Sequence, residues 1–218
     1  MKIDRNSYGT LAVVFFIAAV LIWTGFRFIH IRWISWVIAA ICWLFCVWQM
    51  YFFRIPDRTS AGGGKDISSA ADGKVVIVDE AMENEYIGAM CKRVCVYMDF
   101  FDVHANFWPA DGKVVYYKYH PGKHLLAFKP KASEENEHAS ACIETPDGQK
   151  VLFRQHAGTF ARRIVNYAVP GMEVKAGDQC GIIKFGSRMD IYLPLDSEIL
   201  VRPGDKVRSR ESIIARLR

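Results

Sequence analysis

The chain is 218 residues long, 51% hydrophobic, and carries a formal net charge of +5. So apolar a composition excludes a disordered chain, and the stretch after residue 65 is long enough for one domain with a real core. The six cysteines, with only Cys91 and Cys95 in C-x3-C spacing, form neither a disulfide framework nor a complete zinc set; a reducing compartment and no metal are expected.

Tyr8 to Phe26 and Trp33 to Phe53 contain no charged residue. Each has the roughly 20 residues that a helix needs to cross a hydrocarbon core. The reading is a two-helix transmembrane hairpin, about residues 8–26 and 33–53, turning at Arg27–Arg32. Trp23, Trp33, Trp36 and Tyr51 sit near the ends, where amphipathic rings favour the interface. A second apolar run and the lack of a small-residue cleavage site argue against a signal peptide. Lys2 and Arg5 before the hairpin, with Arg54, Arg58 and Lys65 after it, outweigh Arg27 and Arg32 in the turn. That favours both termini inside a cell (inner) membrane and a cytosolic main domain. Beside a membrane, the basic excess suits anionic lipid; no nucleic-acid motif accompanies it.

Residues 54–65, with Ala61-Gly62-Gly63-Gly64, read as a flexible linker. From 66 to 218, strand-like runs dominate: Lys74–Asp79, Arg93–Met98, Val114–Tyr119, Lys150–Phe153 and Asp190–Leu193, separated by Gly, Pro and Asp. Ala71-Asp-Gly-Lys-Val-Val76 recurs as Ala110-Asp-Gly-Lys-Val-Val115, and Pro170-Gly-x-x-Val174 as Pro203-Gly-x-x-Val207. A Gly turn feeding a strand, used more than once, predicts a mostly β, barrel-sandwich-like domain of the kind found in lipoyl and biotinyl carriers.

Candidate chemistry gathers on a few residues. Ser187 follows Gly186, and glycine there lets the backbone take a strained turn beside a hydroxyl. His104 has the side chain best matched to proton transfer near neutral pH. A Ser, a His and an Asp can form a relay; on spacing alone the Asp could be Asp72, Asp102 or Asp111. Arg162 and Arg163 are either a solvated face or a lipid-phosphate contact. Gly-Ser turns, turn aspartates and structural histidines are common, so no one of these residues decides the matter.

Taken in order, Ala71-Asp72-Gly73, Phe101-Asp102-Val103-His104, Ala132-Ser-Glu-Glu-Asn136, Ala161-Arg-Arg-Ile164 and Phe185-Gly-Ser-Arg188 closely resemble the short, bacterial type of phosphatidylserine decarboxylase. The resemblance covers essentially all of residues 66–218, and the hairpin in front fits it. It implies a proenzyme that cuts itself between Gly186 and Ser187, giving a large chain 1–186 and a small chain 187–218. It also implies that Ser187 becomes a covalent pyruvoyl group, the electron sink for decarboxylating phosphatidylserine to phosphatidylethanolamine. Asp72, His104 and Ser187 occupy the positions of the family's cutting triad. Arg162, Arg163 and Arg188 are candidates for the substrate phosphate.

One departure stands out. Longer members carry a second histidine three positions before the one matching His104, and this chain has Phe101 there. The acid that protonates the substrate carbanion is therefore open: His104 acting twice, or more weakly His120, His124 or His156. The partners implied are phosphatidylserine, membrane lipid and the two chains of one proenzyme, with homo-oligomerisation left open. The alternative is a membrane-anchored lipoyl- or biotinyl-like binding or adaptor domain without catalysis. Against a carrier, the tip Gly186-Ser187-Arg188-Met189 lacks the lysine a carrier needs.

Overall fold

A computed structural model describes residues 2–123, 136–158, 163–184 and 187–218. The chain divides into two units, residues 1–57 and 58–218.

In the first unit a 3-10 turn (Arg5–Ser7) leads into α1 (Tyr8–Phe28), followed by α2 (Arg32–Phe52). Both are long and apolar enough to cross a membrane, by length and composition. They extend the uncharged runs by a residue or two at the turn, ending on Arg27-Phe28 and beginning at Arg32. Most of their large apolar side chains are exposed, Phe16, Trp23, Trp33 and Trp43 among them. A soluble helical pair would bury that face. The helices meet where Ser35 Oγ donates to the Gly25 carbonyl at 2.8 Å. Strands β1 (Lys2–Ile3) and β2 (Arg54–Ile55) pair and close the base of the hairpin.

In the second unit the described strands all pair antiparallel. Its strands are β3 (Asp66–Ser68), β4 (Gly73–Glu83), β5 (Ala89–Met98), β6 (Ala105–Phe107), β7 (Gly112–His120), β8 (His138–Glu144) and β9 (Lys150–His156). There follow β10 (Arg163–Asn166), β11 (Glu173–Val174), β12 (Gln179–Lys184), β13 (Ser187–Leu193), β14 (Glu198–Ile199), β15 (Lys206–Val207) and β16 (Ile213–Arg216). One curled eight-stranded sheet runs β11-β7-β8-β9-β13-β5-β4-β15. Two three-stranded sheets, β10-β12-β6 and β14-β16-β3, complete the unit. The mostly β expectation holds.

The repeated words of the sequence become one pairing built twice. Lys206 and Val207 of β15 lie opposite Lys74 and Gly73 of β4. Glu173 and Val174 of β11 lie opposite Lys113 and Gly112 of β7. Each Ala-Asp-Gly-Lys-Val-Val thus starts a strand that a Pro-Gly-x-x-Val strand covers. The glycines are required by close approach: a Cβ on Gly73 would sit 2.0 Å from the Tyr97 carbonyl oxygen, and one on Gly112 2.4 Å from that of Glu144.

Central strand β13 is buried on both faces along its whole length. Alternation sends Met189, Ile191 and Leu193 into the main core with Val94, Val96, Met98, Ile143, Phe153 and Trp108. Tyr192 joins a smaller cluster with Cys91, Cys142 and Leu152 on the other side. All six cysteines are free, five of them buried and Cys46 half-buried. Burial pushes the Cys142 thiol up to about 12 and keeps it unreactive.

The Gly-rich stretch read as a flexible linker is docked instead. Ala61 N–H donates to Arg210 O at 2.8 Å, Gly63 and Asp66 exchange backbone bonds, and Leu217 N–H donates to Lys65 O. Composition hid this, because the partners lie some 150 residues away in sequence.

Candidate active site

Ser187 opens β13, opposite Met98 at the end of β5. It is fully buried, and its Oγ lies 3.8 Å from Met98 Sδ as a donor. Asn106 Nδ2 donates to the same sulfur at 3.6 Å. Behind it Gln155 Nε2 donates to Asn106 Oδ1 at 2.8 Å, and Asn166 Nδ2 to Gln155 Oε1 at 2.7 Å. A polar chain therefore runs through the core to the serine, each amide satisfied by the next.

His104 directly precedes β6 and is fully buried. Its carbonyl accepts from Ile183 N–H at 3.2 Å, on the strand whose end leads through residues 185 and 186 into Ser187. Its Nδ1 stands 3.0 Å from the Asp102 carbonyl oxygen. A carbonyl only accepts, so Nδ1 carries a proton. The Asp99–Asp102 turn is self-locked: Asp99 N–H donates to Asp102 Oδ2 at 2.9 Å and Phe101 N–H to Asp99 Oδ1 at 2.8 Å. Burial, followed by the Asp99 and Asp72 charges, pushes the Asp102 carboxyl up, against the opposing Asp99 N–H bond. Phe101, at the position of the missing histidine, is 70% exposed.

Asp72 lies just before β4 and is 7% exposed. Its Oδ1 accepts from Arg58 Nη1 at 2.5 Å, Ser209 N–H at 2.8 Å and Ser209 Oγ at 2.6 Å. Its Oδ2 accepts from Arg58 Nη2 at 2.9 Å. His104 is not among these partners. Ser187 thus starts β13 opposite Met98 and His104 is tied to Ile183 of β12, whereas Asp72 is felt at Asp102 as a nearby charge. Asp111, its twin, accepts from Ala176 N–H at 2.8 Å in the duplicated arm.

The arginines separate. Arg163 is exposed at the start of β10, opposite Lys184. Arg188 is fully buried, with Nε 2.7 Å from Asp190 Oδ1 and Nη2 2.9 Å from Oδ2. Arg162, Gly186 and His124 lie outside the described residues, as does most of the 132–136 segment.

On the opposite face of β13, His120, His138, His156 and Arg188 stand in register across β7, β8, β9 and β13. The ring centroids are 4.4 Å apart between His120 and His138 and 5.5 Å between His138 and His156. His156 Nε2 is 3.1 Å from Asp190 Oδ2, without the alignment of a hydrogen bond. Burial pushes His156 down to about 4, so it is neutral. Against its own burial, His156 and Arg188 hold the Asp190 carboxyl well below the usual range. Further along, burial would raise Glu85, but bonds from Ser140 and His120 and the Arg154 charge bring it to about 2.

Glu85, His120 and His138 place one donor atom each within 4.8 Å of one another, a grouping of the size that holds a metal ion. Its carboxylate is internally engaged: Oε1 faces His120 Nε2 at 2.6 Å and Tyr116 OH at 3.1 Å. Oε2 takes Ser140 Oγ at 2.7 Å and Arg154 Nη2 at 2.6 Å.

Met98, Asn106, Arg58 and Ser209 were not singled out in the sequence as site residues. Only Arg58 carries a signal, as one of the basic residues that follow the second apolar run.

Two helices long and apolar enough to cross a membrane, followed by an antiparallel β unit with a buried serine at a strand start and a buried histidine beside the preceding strand, define a β protein with two candidate membrane helices. The comparisons are specific. The family model for phosphatidylserine decarboxylase matches residues 45–215. A phosphatidylserine decarboxylase proenzyme of Amoebophilus asiaticus is 47% identical over 171 residues, 78% of this chain and 76% of its own length. One from Parabacteroides distasonis is 36% identical over 218 residues, 100% of this chain and 99% of its own length. The chain belongs to the phosphatidylserine decarboxylase family.

Proposed function

We propose that the chain is a proenzyme that cuts itself between Gly186 and Ser187 and then decarboxylates phosphatidylserine to phosphatidylethanolamine as a pyruvoyl-dependent carboxy-lyase. The observation that supports this is the placement of the two residues: Ser187 begins β13 against Met98, and His104 is bonded through its carbonyl to Ile183, four residues before Ser187 in sequence.

The steps follow from the chain's own groups. His104, with its Nδ1 proton held by Asp102 O, takes the Ser187 hydroxyl proton at Nε2. Ser187 Oγ bonds to the Gly186 carbonyl carbon, the 186–187 peptide C–N bond breaks, and that proton goes to the freed amine. Removal of the Ser187 α-proton then expels Gly186 as a carboxylate, and water releases ammonia from the residue left behind. The buried position fits the resulting group: Ser187 is fully buried, among the described residues its oxygen has the weak Met98 sulfur as acceptor, and the hydrogen-bond chain behind it is built of Asn106, Gln155 and Asn166. A pyruvoyl carbonyl supplies an electron sink for loss of carbon dioxide. His104, acting a second time, is the acid that returns a proton to carbon, since Phe101 cannot.

The hairpin keeps the site at the lipid surface, with both termini and the β unit on the cytosolic side of the cell membrane, as the flanking Lys and Arg favour. Exposed Arg163, with Arg162 beside it in sequence, is the phosphate contact; buried Arg188 has Asp190 instead. Intact-protein mass spectrometry of membrane-purified material tests the reading. Two fragments are expected, 1–186 and a small chain lighter by one ammonia than a serine-started peptide. Ser187→Ala stays one chain. A wild-type chain that folds and stays whole sinks the reading in favour of an anchored binding domain.

A further inference from the structure

Asp72 is the end point of an unusually complete set of donors. Two come from Arg58, in a bidentate pair at 2.5 and 2.9 Å, and two from Ser209, at 2.8 and 2.6 Å. Arg58 Nη1 also donates to Ser209 Oγ at 3.0 Å and Ser209 O at 3.3 Å, so the three residues form one closed unit. It is well shielded: the side chains of Arg58 and Asp72 are 15% and 9% exposed, and Ser209 is fully buried. Arg58 is the first residue of the β unit, with only Phe53 to Asp57 between it and the end of α2. Ser209 lies beyond the proposed cut, next to Arg210, whose φ of 72° puts it in the left-handed region. Holding a non-glycine residue there costs about 1 kcal/mol or more, and the turn it permits aims Ser209 at the carboxylate.

We propose that Arg58 and Ser209 are positioning residues for self-cleavage, fixing the Asp72 carboxylate as a charge beside the Asp102–His104 segment. The inference rests on the cutting reaction proposed above. Three physical points support it. A carboxylate this buried is costly to keep ionised without a counter-ion, and removing one partner of such a pair leaves the other exposed to that cost. A bidentate guanidinium fixes the plane of the carboxylate, which a single point charge does not. And the Asp72 charge is felt where the chemistry is: it contributes to raising the Asp102 carboxyl, on the residue whose carbonyl holds His104. When His104 takes the Ser187 proton it becomes a cation, and a fixed negative charge nearby stabilises it. Ser209 joins the prospective small chain to the same unit, so the carboxylate stays in place after the 186–187 bond is gone.

The test follows conversion of full-length proenzyme into two chains after synthesis into lipid nanodiscs. Arg58→Ala should slow conversion roughly tenfold to a hundredfold, the loss that a misplacement of about 1 Å produces. Arg58→Lys should recover part of the rate, keeping charge without the fork. Millimolar guanidinium ion should accelerate Arg58→Ala and leave wild type unchanged, a rescue that a merely structural role would not give. Ser209→Ala should also slow conversion, and it decides the matter if Arg58→Ala does not fold. Folded Arg58→Ala or Ser209→Ala converting at the wild-type rate or faster overturns the proposal. An uncut wild-type chain instead sinks the cutting reaction itself, a separate outcome.

Discussion

At the scale of single residues, the backbone carbonyl of Asp102 does what a triad carboxylate usually does. It accepts from Nδ1–H of His104, which in the proposed cutting reaction makes Nε2 the base. A carbonyl cannot be removed by substitution, so the prediction concerns side chains. His104→Ala should slow self-cleavage about 10²–10⁴-fold, the usual worth of a positioned base. Asp102→Asn keeps the carbonyl and should cut close to the wild-type rate. Time courses of chain conversion for the two variants check both. The buried polar groups also set a pH limit. The unfolded chain protonates His156 near 6.5, whereas burial holds the folded residue at about 4. Between those values the unfolded state binds the extra proton, so stability is full above pH 6.5 and falls as pH drops toward 4. Glu85, at about 2 in the fold, adds a second loss as pH falls from 4.5. The combined effect is a few kcal/mol. Thermal melts of the whole protein should therefore drop steadily from pH 6.5 to 4, and His156→Gln should flatten the upper part of that slope.

At the scale of elements, the duplicated strand start offers an internal control. Gly73 and Gly112 occupy the same place in two copies of one pairing, and at both a methyl group would strike a backbone carbonyl. Gly73→Ala and Gly112→Ala should each destabilise by about 2 kcal/mol or more, because a carbonyl in a ladder cannot move aside. Only Gly73 adjoins Asp72. At matched stability, Gly73→Ala should slow conversion and Gly112→Ala should not; equal rates would mean that the Asp72 arm has no special part in cutting. The duplication was legible because its words recur letter for letter, and the strands because Val, Ile and Tyr alternate between Gly and Asp breaks. Ser187 and His104 were legible as residue types in ordered motifs. Their placement was not, since Ser187 depends on β13 lying between β5 and β9 and His104 on β6 pairing with β12, long-range register that no local pattern carries. Arg58 and Ser209 were hidden for the same reason. Their link to Asp72 spans 14 and 137 residues of sequence.

At the scale of the molecule, the two units divide the labour in a way that kinetics can separate. The β unit has its own buried core, from Ile67 to Leu217, and contains every residue assigned to cutting. The hairpin presents phenylalanines and tryptophans outward, as a lipid-embedded surface does. If it serves only to bring the site to a substrate that rarely leaves the bilayer, a chain starting at Arg58 should still fold and cut itself. It should act on dispersed short-chain phosphatidylserine with kcat near that of the full chain. On vesicles it should lose most of its kcat/KM through a higher apparent KM, because membrane residence raises the effective substrate concentration without altering the chemical step. Anionic vesicles should be less affected than mixed ones, since the basic charge of the protein still draws it to such a surface. A fall in kcat on the dispersed lipid would instead mean that the anchor shapes the site.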